Sequence, residues 1–295
     1  MRSSLHIVLL LLPASLLVAL CSCGDTLPDP RPDLQADQPG RWLELPATDT
    51  PGLYFFHHAM PGQPELRNYS FYLDPNARVS VWVAYPMNAG LTGNGRRPDP
   101  EPWGLDPKVP EDCQANLVLH GFSGSAGYDR GHQVASADRY AFDSNAETYY
   151  GTNITPQLHD FNGGVWNTLE GMVRSWSRHC DTLYVVSGAV LRDSPGSVPD
   201  NTGKRIAIPS AYYKALLAYR REGGFGREAG EYIGAAFYFE HRNWSNSRAE
   251  VRAHAMSLDA LEARLGFDLF VNLPSDTAGR VEAQDPLSIG WWWDN

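Results

Sequence analysis

After residue 53 the chain falls into short apolar runs separated by turn-forming residues. Arg67–Leu73 and Arg78–Tyr85 carry the β-branched and aromatic enrichment of strands, with Asp74-Pro75-Asn76 between them as a turn, so the pattern predicts a hairpin. Leu117–Leu119, Asp181–Gly188, Ala211–Leu217 and Tyr232–Phe239 read as further strands. Two stretches have a helical period instead. Trp166, Leu169, Val173 and Trp176 form one apolar stripe, predicting a helix over 166–178. Leu258, Leu261 and Leu265 form another, with Ser257 as N-cap and Gly266 as stop. Strands outnumber helices and do not alternate strictly with them, which predicts an α+β fold.

The N-terminus departs from this pattern. Arg2 precedes an apolar run, Ile7 to Leu20, too short for a membrane span and suited to an export signal. Leu20-Cys21-Ser22-Cys23 resembles the bacterial lipoprotein signal, which makes 1–22 the signal and Cys23 the lipidated residue. The expected address is an exported protein, lipid-anchored to a bacterial membrane and facing the periplasm or the exterior. Residues 23–52, rich in Pro and Asp, read as a flexible tether. The domain is expected over 53–275, with a tail at 276–295 that ends in Trp291-Trp292-Trp293, either a lid or a contact surface. Cys113 and Cys180 remain as the one candidate disulfide pair in an exported chain.

A formal charge of -10 argues against broad nucleic-acid coating but leaves room for a local basic cleft. Lys occurs only at 108, 204 and 214; the other basic residues are Arg, which suits bidentate phosphate contacts. The His120-Gly121 stretch after Leu119 has the look of a serine-hydrolase oxyanion loop, but no G-x-S-x-G elbow accompanies it.

The densest chemistry lies between Tyr128 and Glu170. Arg130 and His132 are two apart, so on a strand they share one face, a cation beside a candidate base. Asn162 and Glu170 are eight apart, about two helical turns, and could face one cleft across Gly163-Gly164. Asn162 is either a neutral oxygen ligand suited to Mg²⁺ or a helix cap.

Asp129-Arg130-Gly131-His132, Asn153-Ile154-Thr155-Pro156-Gln157 and Asn162-x-x-x-Trp166-x-x-Leu169-Glu170 together resemble the DNA/RNA non-specific endonuclease family of the ββα-metal superfamily. The resemblance extends over roughly 67–273. It implies a central, mainly antiparallel sheet flanked by helices. It implies His132 as general base, Asn162 as the one protein ligand of Mg²⁺ (or Mn²⁺), and Glu170 as orienter of metal-bound water. Arg130 would contact phosphate, with a further Arg upstream, Arg96 or Arg97, of which Arg97 is taken. Substrates would be DNA and RNA held by their phosphate backbones, the products would carry 5′-phosphates, and no protein partner is implied. The competing expectation is a catalytically silent surface lipoprotein of the same fold that binds a polyanion or a protein.

Overall fold

The computed structural model describes residues 34–122, 127–222, 225 and 230–294, which belong to one compact unit. The signal and Cys23 lie outside them. The strands are β1 (Tyr54–Met60), β2 (Gln63–Asp74), β3 (Val79–Met87), β4 (Tyr128–His132), β5 (Ile154–Leu158), β6 (Thr182–Val190), β7 (Ser197–Pro199), β8 (Arg205–Ala207), β9 (Ala211–Arg220), β10 (Glu231–Glu240) and β11 (Ala255–Met256). The helices are α1 (Ala89–Thr92), α2 (His159–Phe161), α3 (Asn167–Ser177), α4 (Arg248–Ala253), α5 (Leu258–Leu265), α6 (Ser275–Glu282) and α7 (Trp291–Asp294).

Seven strands form one antiparallel sheet in the order β1-β2-β3-β6-β9-β10-β11. The order follows the chain, with β4 and β5 left out between β3 and β6, and β7 and β8 left out between β6 and β9. The intervening stretch, 88–181, leaves the sheet, forms the β4–β5 hairpin and α3, and lies over one face. The α+β expectation is met.

Both faces of the sheet are covered, and the period of two decides which side chain goes where. On β9, Tyr212, Leu216 and Ala218 join the core beneath α3, while Tyr213, Ala215 and Leu217 join the core beneath α5. Lys214 has the parity of Tyr212 and so points under α3 with no exposed surface. The apolar stripe of α3 fulfils its pattern: Leu169, Val173 and Trp176 are buried, as is Trp166 just before it. Ser257 caps α5 by accepting from the Ala260 N–H, and Gly266 ends it in the left-handed conformation.

Four expectations need correction. Residues 34–52 are not a free tether. Leu45 is buried, Glu44 pairs with Arg67 at 2.5 Å, the Ala47 N–H donates to the Asp268 carbonyl, and the Leu45 carbonyl accepts from Val271. Pro-rich composition misleads there because a few well-spaced contacts suffice to hold the arm. The tail after 275 is likewise part of the fold: α6 packs beside β10, and Trp292 is fully buried, its carbonyl accepting from Trp176 Nε1 at 2.7 Å. Leu117–Leu119 is not a strand but a run of bends, with Leu119 83% exposed. Cys113 and Cys180 form no disulfide. Cys113 is buried in a 3-10 turn, whereas Cys180 follows α3 with its thiol against the Trp176 carbonyl.

Candidate active site

The site is built where the β4–β5 hairpin meets the start of α3. β4 pairs with β5 in register, Arg130 opposite Pro156 and His132 opposite Ile154. Arg130 and His132 therefore project together, and Gly131 faces the other way against Gln157. A Cβ on Gly131 would fall 2.3 Å from the Gln157 side chain, so only glycine allows this approach. Buried Asn153 fixes the hairpin's end: its Oδ1 accepts from Val134 N, and its Nδ2 donates to the Val134 and Thr148 carbonyls.

α2 runs into a π-helical turn, Asn162–Trp166, before α3 begins. Gly164 breaks the helical backbone inside that turn, at φ -98 and ψ -116. Such turns re-aim side chains, and here the turn lets Asn162 and Glu170 line one hollow. Asn162 does not cap the start of α3, whose N-cap position is Trp166. Its backbone is helical, and its Nδ2 donates to Asp129 Oδ2 at 3.0 Å, which turns its Oδ1 away from Asp129.

The hollow, of about 370 Å³, is lined by Arg97, Arg130, His132, Asn162, Glu170 and Arg174 among others. All four anticipated residues thus come together, and of the two candidate upstream arginines it is Arg97 that lines the hollow. His132 is 8% exposed and set edge-on to Tyr149. Its ring is bonded to the Arg130 backbone, and its Nε2 is buried without a partner. A backbone acceptor on one nitrogen places the proton there and leaves a lone pair on Nε2. Burial, then the Arg97 charge, pushes the imidazole down to about 3, with Arg130 acting in the same sense. Burial pushes the Glu170 carboxyl up to about 7, opposed by the Lys214 ammonium.

Three participants escaped the sequence reading. Lys214 does not line the hollow; it is fully buried, bonded to Ser187 Oγ at 3.0 Å and 4.6 Å over the Trp166 ring, and its charge acts on the Glu170 carboxyl. Its signal was a lone Lys inside an apolar strand. Arg174, one helical turn past Glu170, pairs with buried Asp138 at 3.0 Å. Asp129 orients Asn162 and also meets His159 at 3.0 Å.

Acceptors without donors define the chemistry. Among the described residues no hydrogen-bond donor is paired with Asn162 Oδ1, the Glu170 carboxylate or His132 Nε2. Such a set fits a hard, hydrated divalent cation, which binds oxygen ligands and keeps several waters. It shares the hollow with two guanidiniums suited to phosphate oxygens.

The sequence profile of the DNA/RNA non-specific endonuclease family matches residues 54–276. The chain belongs to this family. It is 27% identical to a nuclease of Serratia marcescens over 219 residues, 73% of this chain and 77% of that one. It is 29% identical to bovine mitochondrial endonuclease G over 172 residues, 54% of this chain and 56% of that one. A crystal structure of an EndoG/EndoGI complex shares the fold, with a TM-score of 0.56 and 20% identity over 71% of this chain and 85% of the other. That likeness is one of fold. The protein is therefore a non-specific endonuclease of a metal-dependent family that acts on nucleic acid.

Proposed function

We propose that the protein hydrolyses phosphodiester bonds of both DNA and RNA to products bearing 5′-phosphates, with His132 as general base. The observation that carries this reading is the buried, partnerless Nε2 of His132, set in one hollow with Arg97, Arg130, Asn162 and Glu170. His132 Nε2 takes the proton from a water as that water attacks phosphorus; the P–O3′ bond breaks, and the 3′ oxygen leaves and takes up a proton from solvent, which leaves the phosphate on the 5′ side. Arg97 and Arg130 hold the non-bridging oxygens and oppose the charge that builds on them. Asn162 Oδ1 would hold one Mg²⁺, and Glu170 would hold one of its waters; the ion, when bound, neutralises charge on the phosphate and on the leaving oxygen. Lys214, beneath Glu170, favours the ionised carboxylate that this task needs. Backbone contacts of this kind carry little base readout, which fits action on either sugar.

Purified protein should degrade plasmid and RNA in Mg²⁺ and stop on addition of EDTA. Intact plasmid and RNA under both Mg²⁺ and Mn²⁺ would refute the reading.

The address is part of the same proposal, motivated by Leu20-Cys21-Ser22-Cys23. Residues 1–22 direct export, and Cys23 carries lipid that holds the enzyme on a membrane face outside the cytoplasm. Cys23→Ala should move the protein from the membrane fraction to the soluble fraction. Continued sedimentation with membranes would count against Cys23 as the anchor.

A further inference from the structure

Arg97 and Arg130 come from distant parts of the chain, yet they reach one hollow. What brings them together is a short segment that neither the fold nor the site has accounted for, Glu101-Pro102-Trp103-Gly104. Its backbone is clipped to the wall of the site. Gly104 bridges Tyr150, its N–H donating to the Tyr149 carbonyl and its carbonyl accepting from Gly151. Trp103 then lies against three site residues. Its ring is 4.7 Å from Tyr149 and 5.4 Å from His132, and the Arg130 guanidinium lies over it at 3.8 Å.

Glu101 completes the arrangement. One carboxylate oxygen accepts from Arg97 Nε, and the other accepts from Trp103 Nε1 at 2.9 Å and lies 3.7 Å from an Arg130 nitrogen. A single carboxylate thus ties both cations to the indole. Two guanidiniums aimed at one hollow repel each other, and Arg97 is 56% exposed on a long stem, so its direction needs a fixed partner. The carboxylate's place is informative. Glu101 lines a second hollow, with Arg97, Trp103 and Arg130, and does not line the catalytic one. It grips the arginines from outside the catalytic hollow; Arg130 also donates to the Leu117 carbonyl at 3.4 Å, and the N–H groups not used in these contacts are left for phosphate.

We propose that Glu101 is a positioning residue that sets Arg97 and Arg130, by way of Trp103, as a preformed two-cation clamp for the backbone of the nucleic acid. This rests on the phosphodiesterase reading above. The opposite role is an internal anion that competes with substrate for the same arginines; the place of the carboxylate outside the catalytic hollow argues against it.

The test compares the full-length chain with Glu101→Ala, Glu101→Gln and, as a charge-matched control at the exposed start of β2, Glu65→Gln. Against a defined DNA duplex, Glu101→Ala should lower kcat/KM by about tenfold or more, since misplacement of oriented groups is costly. Glu101→Gln, which keeps an acceptor for one donor, should fall between, and Glu65→Gln should stay within about twofold of the parent. Binding is read separately, by fluorescence anisotropy of labelled duplex in chains that also carry His132→Ala. Each lost phosphate contact flattens the dependence of log Kd on log salt by about 0.9, so Glu101→Ala should flatten it by roughly one to two. Unchanged kcat/KM with an unchanged salt slope overturns the proposal, and so does tighter binding, the mark of a competitor. If Glu101→Ala does not fold, Glu101→Gln carries both measurements. Should the parent chain cut no nucleic acid, the phosphodiesterase reading fails, while the salt slope still decides whether Glu101 sets the arginines.

Discussion

His132→Ala is expected to lower kcat by roughly 10²–10⁴-fold on DNA and RNA alike, the span of general-base contributions. The Kd for substrate should stay within about threefold, because the imidazole moves a proton and the arginines hold the phosphate. Single-turnover cleavage and anisotropy separate the two effects; near parental turnover would remove His132 as the base. The pH profile gives a second check on the same residue. The neutral ring is the active form, and in the free enzyme burial and the two guanidiniums hold its pKa near 3. His132 then imposes no acid limb on kcat/KM between pH 5 and pH 8, because it is already neutral throughout. A phosphate bound between Arg97 and Arg130 offsets their charges and raises the pKa in the complex. The acid limb of kcat that belongs to His132 should therefore lie at higher pH than the corresponding limb of kcat/KM. Limbs in the reverse order would contradict the placement of the arginines beside the base.

Asn162→Ala should raise the Mg²⁺ concentration for half-maximal rate by about 10–100-fold, the loss typical of even outer-shell ligand supports. Metal titrations at saturating substrate measure it, and an unchanged midpoint would exclude Asn162 as a ligand. Asn162→Asp is the sharper variant. By charge alone it should strengthen a hard-cation site. Asn162 Nδ2, however, donates to Asp129 Oδ2 at 3.0 Å, and the substitution replaces that donor with a second carboxylate oxygen. Two carboxylates at that distance do not both ionise readily, so Asn162→Asp should also perform worse than the parent. Full activity in Asn162→Asp would show that Asp129 does not orient the ligand.

Much of this site was legible before any coordinates, because its chemistry is compressed into 43 residues with period-specific spacing. The i, i+2 pair of Arg130 and His132 implies one face only if the stretch is a strand, and its pairing with β5 makes it one. Glu170 stood out as a carboxylate beside an apolar helical stripe, and α3 does bury that stripe. The main strands β2, β3, β6, β9 and β10 were visible as runs rich in β-branched and aromatic residues. By contrast, Leu117–Leu119 shows how a short apolar run can mislead: it has strand-like composition but no neighbouring strand to pair with.

Local spacing and side-chain type thus determined the main strands, α3 and α5, the family and the identity of the central residues. Only the tertiary structure decided their environment. Whether Asn162 caps a helix or faces a cleft depends on a π turn at Gly163-Gly164 and on Asp129, 33 residues away. That Arg97 rather than Arg96 reaches the hollow follows from how its loop packs. That Lys214 supports Glu170 follows from the parity of β9 within a sheet covered on both faces. Burial and long-range electrostatics are properties of surroundings, and those surroundings are assembled from stretches that the one-dimensional chain keeps far apart.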